Sequence, residues 1–277
     1  MTLNSLVATI GPALGGFLAD KGDLFVGARL AVVGSMISVV LSLLILPSTT
    51  RKSVANSSTR SSFSDDLLGS LKMALRPNLW PLLLVKVLGG VSASMYSTAL
   101  PILLTQRLKF EPASMGLSMS SGSIAVAVFG AVGLSPLTAA IGAARMSNFG
   151  LLLRAAFGCL MALVATGGVN APTLRIRVAL VSVLHGLASH MLATGLTTQT
   201  TGAVSASEQG ALLGLEHGLF SMARIVGPTA GTWLLLDTGS SFWPVSIACG
   251  VVDFVLVLLL LATAEKRRNS SSSSKIL

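Results

Sequence analysis

Three ionisable residues stand deep inside long apolar stretches of the sequence: His190, Arg224 and Asp253. Such side chains are costly within a bilayer, so those that occur there are candidates for moving ions or protons. Arg224 precedes Asp237 by 13 residues, and Asp253 lies 12 residues beyond the following turn. At 1.5 Å rise per residue, both lie ~18–20 Å from the same ends of consecutive antiparallel helices. The matched depth predicts that Arg224 and Asp253 contact each other, either as a static clasp or as a pair that couples proton movement.

Histidine chemistry is the next candidate. A histidine at mid-depth, as His190 is, can titrate between pH 5 and 8 and carry a proton, or it can simply hydrogen-bond between helices, and both interpretations remain open. His185 precedes it by five residues, about 140° around a helix, so the two do not share a face as an i,i+4 metal pair would. We therefore expect no metal site and no cofactor.

Lys86, Glu216 and His217 complete the candidate solute and proton pathway, because each lies near a helix end. Lys86 either snorkels toward the membrane surface or serves function, and Glu216 with His217 marks the mouth of a helix. Arg154 is interpreted as another snorkelling side chain near a helix end. Glu216 and His190 lie at different depths, so an intramembrane enzyme is disfavoured. We expect no catalytic residue.

The composition identifies the environment of these residues. Hydrophobic residues make up 52% of the 277, charged residues only 10%, and the mean hydropathy is +0.80. A soluble domain carries roughly 25% charged residues. The net charge of +9 comes from basic residues that flank apolar segments, which is typical of membrane proteins and excludes a nucleic-acid partner. The lipid bilayer is the expected partner.

The apolar stretches are long enough to cross a hydrocarbon core ~30 Å thick, which needs about 20 residues. Backbone groups in lipid must be satisfied within the segment, so each is predicted to be a helix. The sequence thus predicts an all-α integral membrane protein of about eight transmembrane helices. The segments are Met1–Ala19, Leu24–Leu46, Leu79–Leu104, Ser114–Ile141, Met146–Thr166, Val178–Thr200, Ala211–Leu236 and Phe242–Ala264.

Two polar regions interrupt this pattern. Residues 47–78 are predicted to be a linker, flexible over 48–64 and forming a short amphipathic helix over 65–75. Residues 265–277 are predicted to be a disordered tail. Ten Lys and Arg residues fall on the side of the linker and tail and five on the other, which predicts that both are cytoplasmic. Which membrane holds the protein is left open.

An internal repeat supplies the domain organisation. A GPxxG element at Gly11 returns at Gly227, and each copy is followed by a polar turn and one more apolar segment. Small residues four apart let helix backbones approach closely, and the proline permits a bend. The predicted packing residues are Gly11, Pro12, Gly15, Gly16, Gly227, Pro228 and Gly231.

If the first two helices repeat the last two, residues 1–46 hold the last two helices of an N-terminal half and 79–264 a six-helix C-terminal half. Ten residues precede Gly11, whereas the second copy starts sixteen residues before Gly227. We therefore expect that the chain begins partway into a helix and that four helices of a longer parent are missing.

These features resemble the major facilitator superfamily. The Gly11–Gly16 stretch is similar to the fifth-helix motif of its drug–proton antiporters, and Leu84-Val85-Lys86-Val87 with the Gly227–Gly231 region is similar to its organic cation transporter-like members. The resemblance implies helices 5–12 of a twelve-helix, six-plus-six fold. It also implies a secondary active transporter of small organic solutes, a drug or organic cation, exchanged for protons by alternating access. A uniporter of the same fold and a non-transporting remnant remain the alternatives.

Overall fold

The computed structural model describes residues 2–20, 25–45, 63–166, 171–237 and 242–273. All regular secondary structure within these ranges is helical, which confirms the predicted fold class. The helices are α1 Thr2–Asp20, α2 Val26–Ile45, α3 Phe63–Ala74, α4 Trp80–Ile102, α5 Pro112–Val128, α6 Leu134–Ile141, α7 Ala143–Thr166, α8 Ala171–Gly202, α9 Gln209–Asp237 and α10 Trp243–Ser273. Two π-helical segments, Leu103–Arg107 and Phe129–Gly133, extend α4 and join α5 to α6.

Seven helical spans in the described ranges are long and apolar enough to cross a membrane, the first being Val26–Ile45. The predicted segment 114–141 is a single span built from α5, the π-helical turn and α6. α1 occupies the remaining predicted segment.

The polar regions contain more helix than expected. α3 lies where the linker was predicted to form an amphipathic helix, while residues 48–62 of the flexible segment lie outside the described ranges. α10 continues past Glu265 to Ser273, which corrects the expectation of a disordered tail over those residues. Glu265 and the three basic residues after it are all good helix formers, so they extend the span that precedes them.

The helices of the C-terminal part pack around α4, which contacts α8, α9 and α10, while α7 packs along α8 and α10. One buried cluster includes Tyr96, Phe242 and Met161. The ring of Tyr96 stacks on that of His185 with centroids 4.1 Å apart and meets Phe242 edge-on at 5.8 Å. His185 is thus a buried member of the core.

Glycines of both copies of the repeat allow close helix crossings. A Cβ placed on Gly227 would stand 2.5 Å from that of Ser94, and one on Gly231 would stand 3.1 Å from the Met95 carbonyl oxygen, so α9 lies directly on α4. In the first copy of the repeat, Gly16 makes the close contact, whereas Gly11 and Gly15 face open space.

The contact of Gly16 is reciprocal. A Cβ on Gly16 would meet the carbonyl oxygen of Pro112 at 2.3 Å, and a Cβ on Gly116 would meet that of Pro12 at 2.3 Å. A proline and a glycine four residues apart on α1 therefore face the same pair on α5. Only the absence of a side chain at both glycines permits this approach.

Candidate functional site

A cavity of about 490 Å³ lies among α4, α7, α8 and α9. Its size falls within the range of small-molecule sites, and most of its lining is apolar. Four of the six predicted pathway residues line it, and His190 and Asp253 do not. The polar or aromatic lining residues are Lys86, Arg154, Ser189, Thr197, Glu216, His217, Phe220, Ser221 and Arg224.

Helical spacing explains how α9 presents its residues to the cavity. Glu216, Phe220 and Arg224 recur every four residues, so they form one row along the helix. Gly90 of α4 lies opposite, where a Cβ would stand 3.2 Å from the Phe220 ring. The absence of a side chain at Gly90 thus leaves room for the Phe220 ring in the cavity wall.

Lys86 and Glu216 form an ion pair in this wall. Lys86 Nζ lies 2.6 Å from Glu216 Oε1, and the two side chains are only 17% and 12% exposed. Nζ also donates a hydrogen bond to Thr200 Oγ1 at 3.2 Å. Among the described residues Lys86 is the ionic partner of Glu216 Oε1, and the carboxylate has a second acceptor oxygen besides. Lys86 therefore points at a partner inside the bundle, tying α4 to α8 and α9.

Asp253 pairs with Arg154, which corrects the predicted contact with Arg224. Arg154 Nε donates to Asp253 Oδ2 at 2.7 Å, and Nη2 donates to Oδ1. Nη2 also donates to the Gly89 carbonyl oxygen at 2.9 Å. Both charged residues are buried, so the interpretation of Arg154 as a snorkelling side chain is also wrong.

The error has a physical cause. Depth along a helix follows from residue counts, but the direction a side chain takes depends on which helices pack together. α10 packs along α7 and α4 and touches α9 little. The α7–α10 crossing lies at Gly158 and Gly250, where a Cβ on Gly158 would stand 3.4 Å from the Gly250 Cα. Gly158 and Gly250 lie one helical turn from Arg154 and Asp253. In the sequence, these two small residues were the feature that could have indicated that α7 and α10 pack together.

Arg224 lies elsewhere, with its guanidinium carbon 5.2 Å from the centroid of the Phe220 ring. That geometry is a cation–π contact, which stabilises a positive charge without neutralising it. Arg224 therefore contributes positive charge to the cavity.

His190 packs against the π-helical segment of the α5–α6 span. A Cβ on Gly130 would stand 2.9 Å from His190 Nε2, so the imidazole lies directly on the backbone there. The residue is half-buried and is not part of the cavity lining. In the described ranges no group of three or more His, Cys, Asp or Glu residues is arranged to hold a metal ion.

A third ion pair, which sequence reasoning missed, joins the α3–α4 turn to the start of α9. Arg76 Nη1 donates to Glu208 Oε2 at 3.2 Å, and Nη2 contacts the other carboxylate oxygen. The backbone N–H and hydroxyl of Ser205 also donate to Glu208. The Arg76 hydrogen bond, followed by those from Ser205, lowers the pKa of Glu208 to about 2. The two partners are 132 residues apart, so no local sequence pattern predicts that they pair.

Apolar spans around a charged internal cavity define a multi-pass membrane protein. The Major Facilitator Superfamily model matches residues 82–276, and the chain belongs to that superfamily of membrane transporters. This confirms the resemblance and points to a transporter rather than an enzyme.

Two curated relatives are similar over most of the chain. Solute carrier family 22 member 18 of Rattus norvegicus is 28% identical over 240 residues, which cover 83% of this chain and 54% of the relative. Solute carrier family 22 member 18 of Mus musculus is 27% identical over 241 residues, covering 83% and 55%. The chain therefore spans about half the length of the curated relatives that it matches.

Proposed function

We propose that this chain forms one wall of the solute pathway in a secondary active transporter. The transporter exchanges a small organic solute, a drug or an organic cation, for protons by alternating access. The observation that carries the proposal is the Lys86–Glu216 ion pair in the wall of a cavity of about 490 Å³. Apolar pockets with a few placed polar groups are the usual form of small-molecule sites.

The remaining contacts support this use of the cavity. Apolar side chains and the Phe220 ring offer a surface for the organic body of a solute, and Glu216 offers a counter-charge for a cation. The Arg154 contacts with Asp253 and Gly89 join α4, α7 and α10, so that the wall is stiff. Rocking of such a wall as a unit is what alternating access requires.

Transport is tested in membrane vesicles prepared from cells that express the protein from its complete gene. The probe is radiolabelled tetraethylammonium, whose charge does not depend on pH. We expect saturable uptake that an acidic vesicle interior accelerates. Glu216→Gln should reduce uptake at least tenfold, because it removes the cavity carboxylate. Glu111→Gln at the exposed start of α5 is the matched control and should transport normally.

The outcomes separate the alternatives. Saturable uptake that is indifferent to the pH gradient would identify a uniporter. Uptake no greater than in vesicles that lack the protein would contradict transport of this cation altogether.

A further inference from the structure

We infer that Lys86 and Glu216 form an exchange site, in which an organic cation takes the Glu216 carboxylate and the displaced proton leaves from Lys86. The inference takes its substrate class from the proposed function, and it adds the group that carries the proton and the reason that the cation expels it.

Glu216 is the only carboxylate among the described residues that line the cavity. The Lys86 ammonium already occupies this carboxylate, with Nζ 2.6 Å from Oε1. A carboxylate has two acceptor oxygens, so Glu216 has capacity left for another positive partner beside its contact with Lys86. Lys86 is therefore a tethered competitor for any cation that enters.

The charges around the cavity determine what happens on entry. Arg154 also lines the cavity, but Asp253 neutralises it. Arg224 is exposed, and among the described residues no carboxylate lies within ion-pair distance of it, so no ion pair neutralises its charge. The Lys86 side chain is only 17% exposed, so a cation that took Glu216 from a protonated Lys86 would leave a largely buried ammonium without its counter-charge. Burying an unpaired charge is costly, and lysine, unlike arginine, relieves that cost by losing its proton.

The exchange balances in atoms and charge. A protonated Lys86, an ionised Glu216 and a free organic cation become a neutral Lys86 amine, the cation held at Glu216 and one proton released to water. One N–H bond breaks, and the net charge of the site is unchanged. Thr200, which is wholly buried, lies 3.2 Å from Nζ and can keep its hydrogen bond to the neutral amine.

Other titratable groups face the same space and must be separated from Lys86. Glu216, His217 and Arg224 approach from α9, and Arg154 approaches from α7 with Asp253 of α10 behind it. The residues that α8 contributes are not titratable. His217 is exposed, and the Lys86 variants described below leave it unchanged. A proton released from His217 would therefore still be released by those variants.

The test uses the purified full chain in detergent. Tetraethylammonium binding is measured by calorimetry in two buffers with different ionisation enthalpies, which counts the protons released. We expect about one proton per bound cation and an apparent Kd that falls about tenfold per pH unit, as one-proton competition requires. Lys86→Met should bind the cation with no proton release and no pH dependence. Lys72→Met, the same change at an exposed position of α3, should behave as the unmodified protein does.

A second variant covers the case in which Lys86→Met fails to fold. Lys86→Arg keeps a cation beside Glu216, but a guanidinium does not lose its proton. We expect it to fold, to bind tetraethylammonium at least tenfold more weakly and to release no proton.

Three results would overturn the inference. If either variant releases the proton as the unmodified chain does, the proton comes from another group, and proton exchange itself survives. If the unmodified chain binds the cation without releasing a proton, Lys86 is not the carrier. The third result is that the unmodified chain binds no cation but binds an organic anion such as benzoate, and that Arg224→Gln abolishes this binding. The proposed substrate class then fails as well.

Discussion

Arg154 donates to both carboxylate oxygens of Asp253 and to the carbonyl oxygen of Gly89. With both side chains buried, neither has water to replace a lost partner. A buried pair of this kind adds little net stability compared with apolar residues, but removing one member leaves a charge uncompensated. At the scale of single residues, the two positions are therefore interdependent.

The first prediction follows from that interdependence. Arg154→Ala or Asp253→Ala should each lower the free energy of unfolding by about 3–5 kcal/mol, and the double variant should lose less than the sum. Unfolding in mixed detergent and SDS, followed by circular dichroism, measures this. Arg224→Ala is the control, and its loss should add to that of Asp253→Ala. Strict additivity of the Arg154 and Asp253 losses would show that the two residues are not partners.

The second prediction concerns pH. Glu208 has a pKa of about 2 in the folded chain, below the value of 4.5 expected when it is unpaired. A depressed carboxylate pKa contributes stability above the unfolded value, and this contribution disappears as the pH falls through the folded value. The folded protein should therefore melt at a higher temperature than Glu208→Gln at pH 7, by a small amount because the pair is exposed. The difference should vanish between pH 4.5 and 2.

Glu111→Gln, which removes a carboxylate at the exposed start of α5, serves as the control for that measurement. A difference between the unmodified chain and Glu208→Gln that stays constant down to pH 2 would rule out the Arg76 pair as its cause.

The sequence indicated which charged residues stand within apolar spans, but not how they pair. Counting residues places Asp253 near the middle of the span Trp243–Glu265, because helix rise is nearly constant. It could not identify Arg154 as the partner, because that depends on the rotation of α7 and α10 about their axes. Lys86, Glu216 and Arg224 could be singled out from the cost of charge in lipid, but a shared cavity follows only from packing.

At the scale of helices, the α1–α5 crossing depends on the absence of a Cβ atom at Gly16 and Gly116. Adjacent glycines in α1 differ sharply, since Gly16 touches the backbone of α5 and Gly15 faces open space. The repeat identified both as packing residues, because the sequence alone does not show which face of α1 meets a neighbour.

The third prediction uses this contrast. Gly16→Ala should force α1 away from α5 and lower the free energy of unfolding by about 1–3 kcal/mol, the usual cost of overpacking. Gly15→Ala should be neutral or slightly stabilising, because alanine favours helix. Both are measured by the same detergent–SDS unfolding. Equal losses for the two variants would contradict the crossing.

At the scale of the whole molecule, the spans were predictable because lipid leaves a long apolar segment few alternatives to helix. The predicted and observed spans agree closely, as with Ala211–Leu236 and α9. The end of α10 was not predictable in this way, because beyond the membrane the choice between helix and coil depends on small propensity differences.

The fourth prediction concerns topology. The excess of Lys and Arg predicts that residues 47–78 and 265–277 share the cytoplasmic face. In a background with both native cysteines replaced, Ser58→Cys and Ser272→Cys should resist an impermeant maleimide in intact cells and react after permeabilisation. Lys109→Cys, in the turn on the opposite side, should react in intact cells. Labelling of either serine position from outside would reverse the orientation.

The pairing of Arg154 with Asp253 also bears on how the chain is made. The two residues are 99 positions apart, and α7 is synthesised first. At ~5–20 residues per second, the arginine emerges about 5–20 s before its aspartate. An arginine at the centre of a helix costs about 2.5–3.5 kcal/mol at the translocon. α7 therefore enters the membrane with an arginine whose counter-charge arrives only with α10, so the last span of the chain completes the partners of an earlier one.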